Sequence, residues 1–359
     1  MPETYDRWPG EPGAAPGAYD RSRERWEPWW PEGPEEPGWG AACGSRGHGW
    51  RLRGLTWGRG GLRATIDRGD ARVTVTFDDV NSVVSARWSG TADRGASLAR
   101  RARCLGEAAA RGPLFELRDS EFQDWAVRES FVRWYIYAHD RMVPRHLCLV
   151  CDDDYVDVLF LEEPRVEVSG VPATGPGRGD ALPAAAGVGE GRPAAPGAYD
   201  RSRERWAPWW PEGSEMPDMG DVHGLLDYKY WLRGLSWGAD GLGVVLDCEE
   251  GDVRVTVTFG DVGSVAAVRW SGAGDRDGSL GYKGRSLGAL EGAGRPTWGL
   301  LYELRDSEFQ DWAAREGAAH GRGARHLCLV CDDDYVDVLF LEEPGVEVSA
   351  IPPSEADGW

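Results

Sequence analysis

The chain has little lysine, isoleucine or asparagine and no long hydrophobic run. Of its 40 basic residues, all but Lys229 and Lys283 are arginine, a composition typical of a high-GC genome. It contains neither a charged-then-apolar leader nor a stretch of about 18 apolar residues, so we expect no export signal and no membrane-spanning helix. The seven cysteines are few for this length and odd in number. We therefore expect a reduced, cytoplasmic setting rather than a disulfide framework.

Positive charge is also in the minority. The 60 acidic residues outnumber the 40 basic ones, which gives a net charge of −20. Such a chain repels phosphate, so we expect neither nucleic acid nor an anionic membrane as a partner. A basic protein would instead be attracted by the same field. No motif indicates a cofactor, and none is expected.

The sequence does contain an internal duplication. Residues 145–164 return without a change at 325–344, and 116–126 return at 303–313. A period this long is about the size of one domain with its linker. The interpretation is a tandem pair of modules, divided as follows: 1–16, a flexible tail; 17–169, copy one, with a strap at 17–35 and a domain at 36–169; 170–196, a Pro/Gly/Ala linker; 197–350, copy two, with a strap at 197–215 and a domain at 216–350; 351–359, a tail.

Within each copy the pattern predicts an α+β fold. Val73, Val75 and Phe77 alternate with polar residues, as half-buried strands do, and 52–57, 62–66 and 83–88 are further strand candidates. Ser120 begins a capping box that predicts one main helix, with Trp125 anchoring it. We therefore expect an antiparallel sheet carrying one main helix in each module. Because the linker lacks an apolar period, we also expect the two modules to be separable.

The stretches 146–151 and 155–161 predict a hairpin with a two-residue turn at Asp153 and Asp154, in which Val150 faces Asp157. One face is then wholly apolar, and the other brings an imidazole, a thiol and a carboxylate onto one surface. A histidine beside a cysteine and a carboxylate can activate a thiolate, although small strand cysteines are more often inert packing. The catalytic candidates of the two copies are His146, Cys148, Asp157, His326, Cys328 and Asp337.

The His-x-Cys-x-x-Cys spacing in the same hairpin resembles a zinc motif. Residues three apart on a strand point to opposite faces, so Cys148 and Cys151 cannot chelate one ion together. The Asp-rich turn lacks the glycine and distal glutamate of a calcium loop. No metal site is expected.

The strap of each copy combines tryptophan, arginine and proline. One interpretation is that it folds back on its own domain, burying the indoles and setting its arginines against acidic groups. The other is a binding segment, since tryptophan and arginine are common interface anchors and an extended Pro-containing segment loses little entropy on docking. The candidates are Arg21, Arg23, Arg25, Trp26, Trp29, Trp30, Arg201, Arg203, Arg205, Trp206, Trp209 and Trp210.

The order of motifs in the C-terminal third of each module is Asp-Ser-Glu-Phe-x-x-Trp (119–125), Arg-His (145–146), Asp-Val-Leu (157–159) and Pro-x-Val (164–166). This order resembles small bacterial α+β proteins, some of which accompany polymorphic toxins as immunity proteins. The resemblance implies a class of protein only and assigns no residue a role.

Three functions follow from these patterns. The leading hypothesis is a non-enzymatic acidic protein that binds a protein partner, in particular a basic toxin. The first alternative is a thiol- or metal-assisted hydrolase at the His146, Cys148 and Asp157 face. The second is a purely structural duplication, in which the two copies bury one another as an intramolecular pseudo-dimer.

Overall fold

The computed structural model describes residues 24–31, 50–58, 60–69, 71–78, 80–87, 113–120, 122–123, 144–151, 154–170, 204–212, 230–238, 240–248, 253–260, 262–269, 300–307, 309–310, 324–331 and 334–352. The strands of copy one are β1 (Arg25–Pro28), β2 (Arg51–Gly58), β3 (Gly61–Arg68), β4 (Ala71–Phe77), β5 (Val80–Arg87), β6 (Leu114–Arg118), β7 (Arg145–Val150), β8 (Asp154–Phe160) and β9 (Arg165–Gly170). Those of copy two are β10 (Arg205–Pro208), β11 (Tyr230–Gly238), β12 (Gly241–Cys248), β13 (Val253–Phe259), β14 (Val262–Arg269), β15 (Leu301–Arg305), β16 (Arg325–Val330), β17 (Asp334–Phe340) and β18 (Gly345–Ala350).

Alternation of side chains explains why these segments are strands. In β4, Val73, Val75 and Phe77 are fully buried and lie on one face. The intervening positions carry Thr74 and Thr76, whose β-branched side chains suit a pleated surface. One side of each such strand is therefore apolar and must be covered.

The strands form two antiparallel sheets, to which both copies contribute. Sheet A has ten strands in the order β1-β6-β7-β8-β5-β14-β17-β16-β15-β10, and sheet B has eight in the order β18-β13-β12-β11-β2-β3-β4-β9. The order of copy two mirrors that of copy one in each sheet. Each copy therefore supplies half of both sheets.

The copies join at the middle of each sheet with the register of a two-fold axis. In sheet B, Leu55 pairs with Trp237, the counterpart of Trp57, and Trp57 pairs with Leu235, the counterpart of Leu55. In sheet A, β5 pairs with β14 in the same manner, centred on Val84 and Ala266. This reciprocal pairing is the geometry of an isologous dimer interface, here formed within one chain.

The core lies between the two sheets and is continuous across the copies. A single cluster of buried side chains includes Trp57 of copy one and Trp237 of copy two. Phe77 on sheet B meets Phe160 on sheet A edge to face, with ring centroids 5.5 Å apart, and the same pair recurs in copy two at 5.6 Å. Two sheets stacked through their apolar faces are a sandwich arrangement.

The predicted α+β class is wrong. The described residues are nearly all strand, and only 122–123 and 309–310 among them are helical. The prediction assigned a helix the task of covering the apolar face of the sheet, whereas a second sheet covers it. Strand β6 was missed because Leu114–Arg118 shows no clean alternation. Trp125 and its counterpart Trp312 lie outside the described residues.

The expected separation of the two modules also differs from the structure. That expectation came from the linker composition, which says nothing about strand edges. In the structure, β2 and β5 of copy one hydrogen-bond directly to β11 and β14 of copy two. Each copy on its own would expose two unpaired strand edges, one in each sheet. It would also expose the core residues that the other copy covers.

Candidate functional site

The β7–β8 hairpin has a different register from the one predicted. Val150 pairs with Tyr155, and Cys148 rather than Val150 lies opposite Asp157. A two-residue turn favours glycine at a left-handed position, and residues 151–154 contain none. Because the shift is two residues, every side chain keeps its predicted face. The apolar face lies in the core between the sheets, and the face with His146 points away from sheet B.

Each copy contains a buried serine–histidine–aspartate chain on that outer face. His146 Nδ1 lies 2.7 Å from Ser120 Oγ, and His146 Nε2 lies 3.1 Å from Asp157 Oδ1. In copy two the corresponding distances are 2.7 Å to Ser307 and 3.0 Å from His326 to Asp337. The arrangement therefore links the segment after β6 to both strands of the hairpin.

Ser120 reaches this position because it caps a helical turn. Its Oγ accepts a hydrogen bond from the Gln123 backbone N–H at 3.0 Å, as the predicted capping box requires. Asp119, just before it, has a left-handed backbone with φ 54°, a conformation that aspartate tolerates better than most residues. This sharp turn directs the chain from β6 to a position beside His146.

Each buried side chain of this arrangement has a hydrogen-bond partner. Ser120 Oγ accepts from the Gln123 N–H and lies beside His146 Nδ1, while the Asp157 carboxylate lies beside His146 Nε2. The three side chains therefore meet the requirement that buried polar groups be hydrogen-bonded.

The residue types match those of hydrolytic triads, but the site is closed. Ser120 is 0% exposed, His146 2% and Asp157 4%. Phe122 packs edge to face on the imidazole, with centroids 5.4 Å apart. A nucleophile must contact its substrate, and this hydroxyl is enclosed and occupied as a cap. The arrangement supports a structural link rather than the hydrolase alternative.

Sequence reasoning placed His146 near Cys148 and Asp157 but missed Ser120. The serine was predicted only as a helix cap. Ser120 and His146 are 26 residues apart in the chain. Neither helix nor strand periodicity relates residues at that distance, so the sequence carries no signal for this contact.

The cysteines are distributed between the two faces as alternation requires. Cys151 lies in the core cluster between the sheets, whereas Cys148 lies on the opposite face of β7 with His146. Within the described ranges no group of three or more metal-binding side chains comes together. Buried thiols in strands act as small apolar packing groups. The cysteines within the described ranges are all buried: Cys148, Cys151, Cys248, Cys328 and Cys331.

The strap forms the outermost strand of sheet A in each copy. Strand β1 pairs with β6, which places Trp26 opposite Leu117. Trp26 packs edge to face on Phe115 at 6.0 Å, and Trp206 of copy two is buried against Tyr302 at 5.8 Å. The remaining strap tryptophans, Trp29, Trp30, Trp209 and Trp210, are partly buried against the core.

The strap arginines within the described ranges form ion pairs with their own copy. Arg25 contacts Asp119 at 3.3 Å, and Arg205 contacts Asp306 at 2.8 Å. Each therefore binds the residue with the left-handed backbone before the serine cap. This geometry favours the interpretation in which the strap folds back on its domain. Four further candidates lie outside the described residues: Arg21, Arg23, Arg201 and Arg203.

Sheet B carries a buried carboxylate on its outer face. Asp67 accepts two hydrogen bonds from Arg72, at 2.7 and 2.9 Å, and a third from Arg53 at 3.0 Å. The hydrogen bonds from Arg72 lower the pKa of Asp67 below its ordinary value of 3.8, despite its burial. In copy two Asp247 binds Arg254 in the same way, at 2.6 Å.

The chain matches no protein-family model, no curated protein and no solved structure. Among the described residues, no helix has the length and apolar character needed to cross a membrane. Its function must therefore be inferred from its own surface and sites.

Proposed function

We propose that this chain is a non-enzymatic acidic protein that binds a basic protein partner. The observation that carries the proposal is the imbalance of charge, 60 acidic residues against 40 basic ones. A strong field of one sign steers an oppositely charged protein and disfavours partners of like charge.

Many of the described charges are paired within the chain. Most of the described arginines are engaged with carboxylates of the same chain, as Arg145 is with Glu116 and Glu163. These carboxylates raise the pKa of Arg145, so its charge is fixed at all physiological pH values. The exposed Glu162, Glu167, Glu342 and Glu347 are in none of the ion pairs between described residues, and the same holds for the exposed Arg51, Arg63 and Arg305. The negative sign of the field therefore rests on the net charge of −20 for the whole chain.

The resemblance to toxin-associated immunity proteins suggests which basic partner to test. A protein that neutralises a toxin needs affinity and shape rather than chemistry of its own, which agrees with the closed serine–histidine–aspartate chain. We expect the partner to be a basic toxin encoded beside the gene for this chain.

The test is to mix the purified chain with the basic proteins encoded by neighbouring genes and measure binding by calorimetry. We expect one of them to bind, with an affinity that falls as salt is raised from about 0.05 to 0.5 M, because salt screens exposed charges. An acidic neighbour of similar size is the control. If no basic neighbour binds, or if salt has no effect, the proposal is wrong.

A further inference from the structure

Among the strands that the structure describes, the two at the ends of sheet B have open edges. Strands β9 and β18 are the outermost strands, and within the described residues nothing pairs with their outer sides. Each is six residues long and contains neither proline nor lysine. An edge of this kind presents a row of backbone donors and acceptors that another strand can use.

The edge strands of sheet A are less suited to pairing with another strand than those of sheet B. Strands β1 and β10 are only four residues long and end at Pro28 and Pro208. Proline has no N–H to donate, and short edge strands pair poorly. The edges of sheet A are therefore poor sites for an additional strand, whereas the edges of sheet B lack these features.

The side chains of the open edges are arranged for an additional strand. Val168 pairs across from the fully buried Val73, so it lies on the core face, yet it is 43% exposed. Val348 in copy two, opposite Val255, is 42% exposed. These two valines are among only three large hydrophobic side chains exposed in the described part of the chain. Each of these edge strands therefore has one core-face valine that an additional strand could cover.

The other face of each edge strand carries negative charge. Glu167 and Glu347 occupy corresponding positions, are exposed, and have no ion-pair partner among the described residues. The nearest arginine on β9, Arg165, is bound to Asp78 through two hydrogen bonds, and copy two has Gly345 in its place. Each edge therefore offers an apolar side chain on one face and a carboxylate on the other.

From this arrangement we infer that β9 and β18 are docking edges for an extended segment of the partner, whose side chains alternate between apolar and basic. The inference rests on the proposed function and names the surface that performs it. The segment would add a strand to sheet B, with its backbone paired to β9 or β18. Its apolar side chains would cover Val168 or Val348, and its lysine or arginine would meet Glu167 or Glu347.

A second copy of this chain is a poorer occupant. Two chains each carrying a charge of −20 repel one another. Pairing β18 with β18 of another molecule also brings two Glu347 side chains near one another without any basic residue on that strand. Like charges opposite one another destabilise a strand pair.

The two edges predict a stoichiometry of two segments per chain. Seven strand spacings of about 4.8 Å separate β9 from β18, so the edges lie about 34 Å apart and do not compete for one short peptide. A single partner could reach both edges only with a long connection.

The first test uses a fluorescent eight-residue peptide of alternating valine and lysine. The control peptide has the same charge, with proline in place of every second valine. We expect the alternating peptide to bind the full chain at two sites, and the control to bind at least about tenfold more weakly because proline cannot pair along the edge. Equal binding of the two peptides would show charge attraction alone and would overturn the inference.

Matched variants then locate the site. E167K with E347K reverses the charge on both edges, whereas E162K with E342K makes the same change on exposed residues outside these strands. We expect the first pair to weaken peptide binding by about tenfold per site and the second by no more than about twofold. Equal losses would contradict an edge site. Melting temperatures close to that of the unmodified chain establish that all variants fold.

Hydrogen exchange gives a readout of strand pairing itself. In the unbound chain the amides of 165–170 and 345–350 that face outward should exchange quickly, and the alternating peptide should slow them. If they are already protected, a segment of the same chain covers the edge. If sedimentation instead shows dimers that the alternating peptide dissociates, a second copy is the occupant. Either result rules the inference out.

The same variants separate this inference from the proposed function. If a basic neighbour binds the E167K, E347K chain as tightly as the unmodified chain, the proposed function is supported and the assignment of β9 and β18 as docking edges is wrong. If the alternating peptide binds at the edges but no basic neighbour binds, β9 and β18 are strand-docking edges and the proposed function is wrong.

Discussion

At the scale of single residues, the buried carboxylate of Asp67 has partners that compensate its charge. Asp67 is 5% exposed, and Arg72 and Arg53 supply the hydrogen bonds that a buried carboxylate needs. The pKa of Asp67 is lowered mainly by the hydrogen bonds from Arg72. Ionised Asp67 therefore stabilises the folded state above its unfolded pKa of about 3.8, and this contribution is lost as the pH falls through the lower folded value.

We predict that Asp67→Asn lowers the free energy of unfolding by about 1–3 kcal/mol at neutral pH, because the arginines lose a charged acceptor. The difference from the unmodified chain should shrink as the pH falls below 3.8, where the wild-type carboxylate also becomes protonated. Urea denaturation over a pH series measures this. Asp78→Asn, which removes an exposed ion pair, is the control and should cost less than about 1 kcal/mol. A difference for Asp67→Asn that does not change with pH would contradict the assignment.

Ser120 gives a second prediction at this scale. Ser120→Ala removes the helix cap, a loss of about 1 kcal/mol, and also leaves the buried His146 Nδ1 without its hydroxyl partner. We expect a total loss of about 2–4 kcal/mol in the free energy of unfolding. Ser307→Ala should behave alike, since its distances are the same. A loss equal to that of a cap alone would show that the contact with His146 adds nothing.

At the scale of elements, the decisive feature is the pairing between strands of different copies. Thr56 and Ser236 lie opposite one another on the pseudo-two-fold axis of sheet B. Both are polar positions on the outer face, while the neighbouring Leu55 and Trp57 point into the core. The junction thus combines backbone pairing on the outside with a shared apolar layer inside.

We predict that Thr56→Pro destabilises the whole chain by about 3 kcal/mol or more, because proline removes a ladder hydrogen bond from a central strand. Thr56→Val is the matched control: it keeps the N–H and the β-branched shape at an exposed position and should change stability by less than about 1 kcal/mol. The measurement is chemical denaturation followed by tryptophan fluorescence. If proline is tolerated, β2 and β11 are not paired as described.

At the scale of the whole molecule, the two copies constitute one folding unit. Both sheets and the core run through the junction, so unfolding one copy would expose the apolar surface of the other. A domain of this kind should unfold in a single cooperative transition.

We predict that the intact chain melts in one calorimetric transition, at a temperature independent of protein concentration. A chain cut at an inserted protease site near Gly189 should remain a complex of two fragments, with a melting temperature that rises with concentration because folding then requires association. Two well-separated transitions, or two fragments that each fold as monomers, would show that the copies are independent.

Much of the local structure could be predicted from the sequence. The alternation in Val73, Val75 and Phe77 marks β4, and the apolar face of the β7–β8 hairpin is buried as its pattern predicts. The capping box correctly placed a hydrogen bond from Gln123 to Ser120. These features depend on residues close together in the chain, where period and turn chemistry leave few alternatives.

What covers each face could not be predicted in this way. An apolar sheet face can be buried by a helix or by another sheet, and the alternation is the same in both cases. Likewise, nothing in the spacing of Ser120, His146 and Asp157 indicates that they meet.

The sequence by itself determined the duplication, the strand faces, the cap and the negative charge, because each is set by residue type and short-range order. Only the tertiary structure decided that two copies share two sheets, that the histidine site is closed, and which of the described strands lie at sheet edges. These outcomes depend on pairing between strands far apart in the chain. Backbone hydrogen bonds can form with any strand of suitable length, and the burial of the whole apolar surface selects among them.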